Sequence, residues 1–263
     1  MFRNRVISFF AISQVSSFGI ALFLIGAILK PGFCFAAQTN VYTETSYSRE
    51  QENTIHSGRI HLTPLFEIEG LYIGALVSTD TKSTDDEVYN EKSTALTLGY
   101  ERLLPIPTMT AGVEVRSVAN QFRDDSKEPI DFRLGLYHYN RAAFSKYFSI
   151  ESYGESVYSS RIYEDVFATI WLRPRYLLHR YRQFDFDFYS EGFIKRDRLG
   201  FFYENLQEFR WGALASLKWN PAYFQLQLYR AHGQYTDREY RDPNPNKKEY
   251  SDNRALFVFG GTW

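Results

Sequence analysis

From about residue 40 onward the chain runs in short stretches where apolar and polar positions alternate, separated by polar, turn-rich segments. Successive side chains of a strand point to opposite faces, so each stretch reads as a strand with two unlike faces. The last one, 253–263, is NRALFVFGGTW. Ala255, Phe257, Phe259 and Trp263 share one face; Arg254, Val258, Gly260 and Thr262 share the other. The same grammar recurs upstream. Near 58–66, Ile60, Leu62 and Phe66 oppose Arg59, His61 and Thr63. Over 166–176, Val166, Ala168, Ile170 and Leu172 oppose Thr169, Trp171, Arg173 and Arg175. Phe184, Phe186 and Phe188 alternate with Asp185, Asp187 and Tyr189. The pattern predicts about twelve strands, the first a weak one near 40–49.

The connectors alternate too. Short ones (67–69, 103–106, 177–183, 220–221) follow even-numbered strands, with one of intermediate length (140–146), and long polar ones (50–57, 79–92, 119–129, 159–165, 195–204, 236–252) follow odd-numbered strands. An even number of antiparallel strands with short turns at one end and long loops at the other is the grammar of bacterial outer-membrane barrels. The predicted fold is therefore all-β: a transmembrane antiparallel up-and-down β-barrel with both termini in the periplasm. A soluble barrel alternates as well, with its oily face inward. The alternation alone leaves open which face is inside.

Composition and the leader bear on that choice. Aromatics are 18% of the chain, with 20 Tyr and 23 Phe, which suits interfacial girdles. The negative mean hydropathy excludes a bundle of membrane helices, and a pI near 6.5 gives no sign of nucleic-acid binding. Residues 1–36 read as a signal peptide: Arg3 and Arg5, an uncharged run from Val6 to Leu29, and small residues Cys34 and Ala36 at the −3 and −1 positions of a cleavage site. Uncleaved, the same run would be an anchor. Residues 37–263 form the barrel. The expected location is the bacterial outer membrane, among its lipids. The carboxy-terminal residues Phe257, Phe259 and Trp263 read as the signal recognised by the barrel-assembly machinery.

Charge crowds one face of the strands. Glu114 and Arg116 on one strand and Asp131 and Arg133 on the next are placed to pair across the ladder and brace a lumen. Asp185, Asp187 and Arg210 line the same face. Arg173 and Arg175, with His179, Arg180 and Arg182, form a basic group suited to carboxylates and phosphates. Tyr137, Tyr153, Tyr189 and Tyr229 offer flat rings for sugars, or serve as packing. His56 and Ser57 are adjacent and so face opposite ways, and the remaining histidines lack metal-ligand spacing. No catalytic residue, metal or cofactor is expected. The acidic run within 236–252, including Asp252, reads as a solvated loop.

Three passages carry a family likeness: Asp131-Phe132-Arg133-Leu134-Gly135-Leu136-Tyr137; Tyr153-Gly154-Glu155-Ser156-Val157-Tyr158 followed by Tyr163-Glu164-Asp165-Val166-Phe167-Ala168; and Tyr250-Ser251-Asp252 before Leu256-Phe257-Val258-Phe259-Gly260. From about residue 96 onward the chain resembles the C-terminal barrel module of the phage adsorption protein A family and of exopolysaccharide-secretion outer-membrane proteins. The resemblance implies a non-enzymatic barrel that takes part in export of a surface polysaccharide, as conduit or as membrane anchor, with a periplasmic partner. A small porin for acidic oligosaccharides and a surface-binding or phage-receptor barrel are the alternatives.

Overall fold

The computed structural model describes residues 36–49, 53–66, 68–80, 93–120, 129–161, 164–198, 205–236 and 249–263, and all that follows concerns these. The leader lies outside them. The sheet begins at Ala36, the residue that the leader reading takes as its last.

Twelve strands form one closed antiparallel barrel in which each strand pairs with its sequence neighbours. They are β1 (Ala36–Ser48), β2 (Asn53–Leu65), β3 (Leu71–Asp80), β4 (Ser93–Leu103), β5 (Met109–Asn120) and β6 (Ile130–Ala143). Then come β7 (Phe148–Ser159), β8 (Asp165–Tyr181), β9 (Phe184–Asp197), β10 (Leu206–Trp219), β11 (Ala222–Tyr235) and β12 (Glu249–Thr262). The seam is β1 against β12, from Asn40 opposite Thr262 to Ser48 opposite Arg254. Reciprocal hydrogen bonds between the backbones of Thr39 and Trp263, at 2.6 and 2.9 Å, finish it. Closure leaves no strand as a free sheet edge, which a span through lipid requires.

The structure settles the question that the alternation left open. Large apolar side chains lie on the outside: Leu96 is 65% exposed, Leu134 57% and Ile170 58%. Charged side chains lie within: Asp131 and Glu191 are each 1% exposed and Asp187 4%. A water-soluble protein does the reverse. Phe66, Tyr147, Tyr181, Trp219 and Trp263, all exposed, sit at or beside the short turns and ring that end. The protein is thus a membrane-spanning barrel of the outer-membrane kind, with its short turns and both strand termini at the periplasmic end.

Several boundaries differ from expectation. β2 begins at Asn53 and not near 58, so 53–57, expected in a long loop, belong to the sheet; β6 runs on to Ala143, which brings Arg141 into a strand. β8 was expected to stop at Tyr176 but continues to Tyr181 through a bulge at Leu177–His179, leaving Arg182 and Gln183 as the turn. A bulge shifts which parity faces inward, which a strict period of two does not foresee. β12 begins at Glu249, so Asp252 belongs to a strand and not to a solvated loop.

Candidate functional site: the charged lumen

Inward positions are set by parity, but which of them meet is set by register. At the turn-proximal level of β6 and β7, Arg141 stands opposite Glu151, and Glu151 stands opposite Arg173. The next strands continue the row with Glu191, Arg210, Ala231 and Asp252. The signs alternate along the hydrogen-bonding direction from Arg141 to Arg210, so Arg173 has a carboxylate on either side, while Arg141 meets Glu151 alone and Arg210 faces Ala231 on its far side.

Distances bear this out. Arg141 lies 3.7 Å from Glu151, and Arg173 lies 3.8 Å from Glu151 and 2.5 Å from Glu191. Arg210 bonds Glu191 at 2.9 Å and also pairs with Glu208. Arg175 pairs with Glu151 and, at 2.6 Å, with Asp187. Arg254 reaches Glu208 at 2.8 Å across the intervening β11, because β11 presents only Ala231 and Gly233 there. Tyr250 lies over Gly233, where a Cβ would strike its ring, and its hydroxyl donates to Glu208. Arg254 also bonds Asp252 at 2.7 Å, and Ser48 Oγ donates to Asp252 at 2.6 Å, which ties the network over the seam. Five guanidiniums (Arg141, Arg173, Arg175, Arg210, Arg254) meet five carboxylates (Glu151, Asp187, Glu191, Glu208, Asp252), so the cluster is neutral. Aromatic rings pin it further: Arg173 lies 4.6 Å from the Trp171 ring centroid and Arg210 3.7 Å from that of Phe193.

The remaining wall, from β1 to β7, is built otherwise. Three carboxylates accept from tyrosine hydroxyls: Glu44 from Tyr42 at 2.6 Å, Glu114 from Tyr72 at 2.9 Å and Glu155 from Tyr153 at 2.7 Å. Tyr72 lies over Gly99, directly across a strand pair, and beside the seam Tyr223 of β11 lies over Gly260 of β12 in the same way. Glycine lets the ring lie flat on the sheet, so these rings pave the wall and leave the axis clear. His61 stacks on Tyr72 at 4.5 Å. The Glu101 side chain has no ion pair or hydrogen bond among the described residues. Arg59 is exposed to the lumen, has no ion pair either, and lies 5.4 Å from the Tyr42 ring centroid.

The arginines of the second wall pair along the strand, not across it. Arg116 bonds Glu114, and Arg133 bonds Asp131 at 2.6 Å, each two residues apart, although the opposite signs also face each other across β5 and β6. This corrects the cross-ladder expectation: on one face of a strand the side chain two residues away is within a guanidinium's reach. Ser159 Oγ donates to Asp131 at 2.8 Å. Five carboxylates (Glu44, Glu101, Glu114, Asp131, Glu155) face three guanidiniums (Arg59, Arg116, Arg133), leaving this wall with an excess of two negative charges.

The sequence-read residues therefore fall into distinct settings. Arg173, Arg175, Asp187 and Arg210 belong to the neutral network. Asp185 bonds Arg180 at 2.6 Å, with Lys218 at 3.6 Å, so the basic group is split between the network and the turn end. Tyr189 is 1% exposed, donates to Gln227 at 3.2 Å and abuts Tyr229 at a centroid separation of 6.5 Å, so it is packing. Tyr153, paired with Glu155, and Tyr137 lie in the acid-rich region. Phe257, Phe259 and Trp263 face outward; Phe259 lies 6.2 Å from Trp263 and 4.9 Å from Phe224. Arg59, Glu101, Asp252 and Tyr250 were not foreseen as site residues.

No family model matches the chain, and no curated protein matches it. Among solved structures it is similar to the KdgM porin in complex with disordered oligogalacturonate, at 11% identity over 86% of this chain and 99% of that one, with a TM-score of 0.39. It is also similar to a bacterial polysaccharide outer membrane secretin (7% identity, 88% and 100% coverage, TM-score 0.42). A third is the β domain of the Bordetella autotransporter BrkA (9% identity, 86% and 98% coverage, TM-score 0.43).

Proposed function

We propose that the protein is a narrow outer-membrane conduit for a hydrophilic chain, neutral or positively charged, and that it serves export of a surface polysaccharide. The observation that carries this reading is the unequal lumen. One wall is stiffened by a neutral ion network, while the other presents flat tyrosines and a surplus of carboxylates. Flat rings fit the apolar faces of sugars, and uncompensated carboxylates favour cations along the path. An acidic solute would need a run of free guanidiniums; Arg173 and Arg175 are both engaged by carboxylates, and Arg59 stands in a wall where carboxylates outnumber arginines. The likeness to the barrel module of exopolysaccharide-secretion proteins supports export, with a periplasmic partner delivering the chain. Conduction needs no catalytic group in the lumen. The aromatic ending on β12 is proposed as the handle for the assembly machinery.

Planar-bilayer recording of the purified barrel tests the conduit. The expected result is a small, cation-preferring conductance reduced by a neutral or cationic oligosaccharide. An anion-preferring channel would overturn the reading.

A further inference from the structure

The lipid-facing surface carries a group that the conduit does not use. His138 on β6 and Ser152 on β7 both point outward, in a belt otherwise made of residues such as Leu134, Leu136 and Ile150. His138 Nε2 lies 3.1 Å from Ser152 Oγ, and His138 Nδ1 lies 2.8 Å from Thr108 Oγ1. Thr108 Oγ1 donates in turn to the Pro107 carbonyl at 2.5 Å. That last bond gives the others one consistent direction. With its proton given to Pro107, the Thr108 oxygen accepts from Nδ1–H. Nε2 is then the acceptor, and the serine hydroxyl donates to it. The imidazole is thereby oriented as a base toward Ser152, with a third group behind it.

Two further observations point the same way. Thr108 holds a left-handed backbone at φ 66°, unusual for a β-branched residue, and its carbonyl is fixed by the Tyr139 amide at 3.3 Å. The strained turn therefore sets the hydroxyl against the imidazole. Asn140, directly opposite Ser152 on the same outer face, is exposed and its side chain has no hydrogen bond among the described residues. Its amide is a free donor beside the serine, suited to a developing oxyanion. Thr108 belongs to a short periplasmic turn, so the group sits where the barrel leaves the hydrocarbon, at the depth of lipid ester carbonyls.

We infer that Ser152, His138 and Thr108 form a hydrolytic site for carboxylic esters of membrane lipids in the periplasmic leaflet. Ser152 Oγ attacks the acyl carbonyl, and its proton passes to His138 Nε2. The ester C–O bond breaks, the leaving alcohol takes that proton, and an acyl-serine remains. Water attacks the acyl-serine with the same base, releasing the fatty acid and restoring Ser152. Asn140 donates to the oxyanion in both halves. Thr108 is a positioning residue.

The test uses the full barrel in detergent, a fluorophosphonate probe and a medium-chain p-nitrophenyl ester. Heat-dependent gel mobility reads the fold of every variant. Label is expected on the peptide bearing Ser152, and both label and hydrolysis are expected to vanish in Ser152→Ala. Ser156→Ala, which alters another outward serine on β7, is expected to change neither. His138→Asn should lower hydrolysis about a hundredfold. Thr108→Gly keeps the left-handed turn while removing the hydroxyl, and should lower kcat about tenfold with KM held, since it only orients the base. No label on the folded wild type, or equal label on folded Ser152→Ala, would overturn the assignment. It stands or falls independently of bilayer conductance.

Discussion

The ion network centred on β8 to β12 and the remaining wall, from β1 to β7, use the same residue types and reach opposite states. In the first, Arg173, Arg175, Arg210 and Arg254 each meet two carboxylates, and the cluster is neutral. In the second, tyrosine hydroxyls do part of the work of arginines, and negative charge is left over. The difference lies in what separates the charges. Ala231 and Gly233 let Arg254 and Glu208 meet over a whole strand. On the other side Gly99 is filled by the Tyr72 ring, and Arg59 has no carboxylate within bonding distance. Small residues thus connect one wall and pave the other.

The sharpest way to break this contrast is to remove a carboxylate from the network. Glu191→Gln leaves Arg173 and Arg210 buried and underpaired, and should cost about 3–5 kcal/mol of stability, read by thermal unfolding in detergent. Gly233→Val forces the Tyr250 ring away from the sheet and Glu208, with an expected loss of about 1–3 kcal/mol by the same measurement. The paired change Glu101→Gln with Glu155→Gln should leave melting nearly unchanged. It should lower the cation-to-anion permeability ratio roughly two- to threefold, because it deletes the surplus charge of the open wall. Raising salt from about 0.1 M to about 1 M should weaken the wild-type preference, since the screening length falls from roughly 10 Å to roughly 3 Å. The smallest effect is expected from Arg59→Gln: under about 1 kcal/mol in stability and a slight gain in cation preference. A loss as large as that of Glu191→Gln would mean that the two walls are not different in kind.

Much of this architecture is legible in the residues themselves. The period of two assigns Leu96, Leu98 and Tyr100 to one face and Asp185, Asp187 and Tyr189 to the other, and the connector lengths give the end at which both termini lie. Which face meets lipid is not legible, because a charged face tolerates bulk water as well as a wet lumen. Register is not legible either. That Arg141, Glu151 and Arg173 stand in one row depends on where the turns close, and the bulge after Leu177 inverts the pattern at Arg180. Asp252 was hidden by its neighbours, since an acidic, proline-bearing run looks like loop until the ladder shows where β12 starts. His138 and Ser152 sit fourteen residues apart, and only the pairing of β6 with β7 brings them within a hydrogen bond.

The seam between β1 and β12 sets an order on biogenesis. The first strand must wait, with one flank unmatched, until β12 is in place. Until then, the half-built wall offers an open template to any passing chain. A small deletion within β12 should therefore harm insertion more than a much larger deletion from a surface loop.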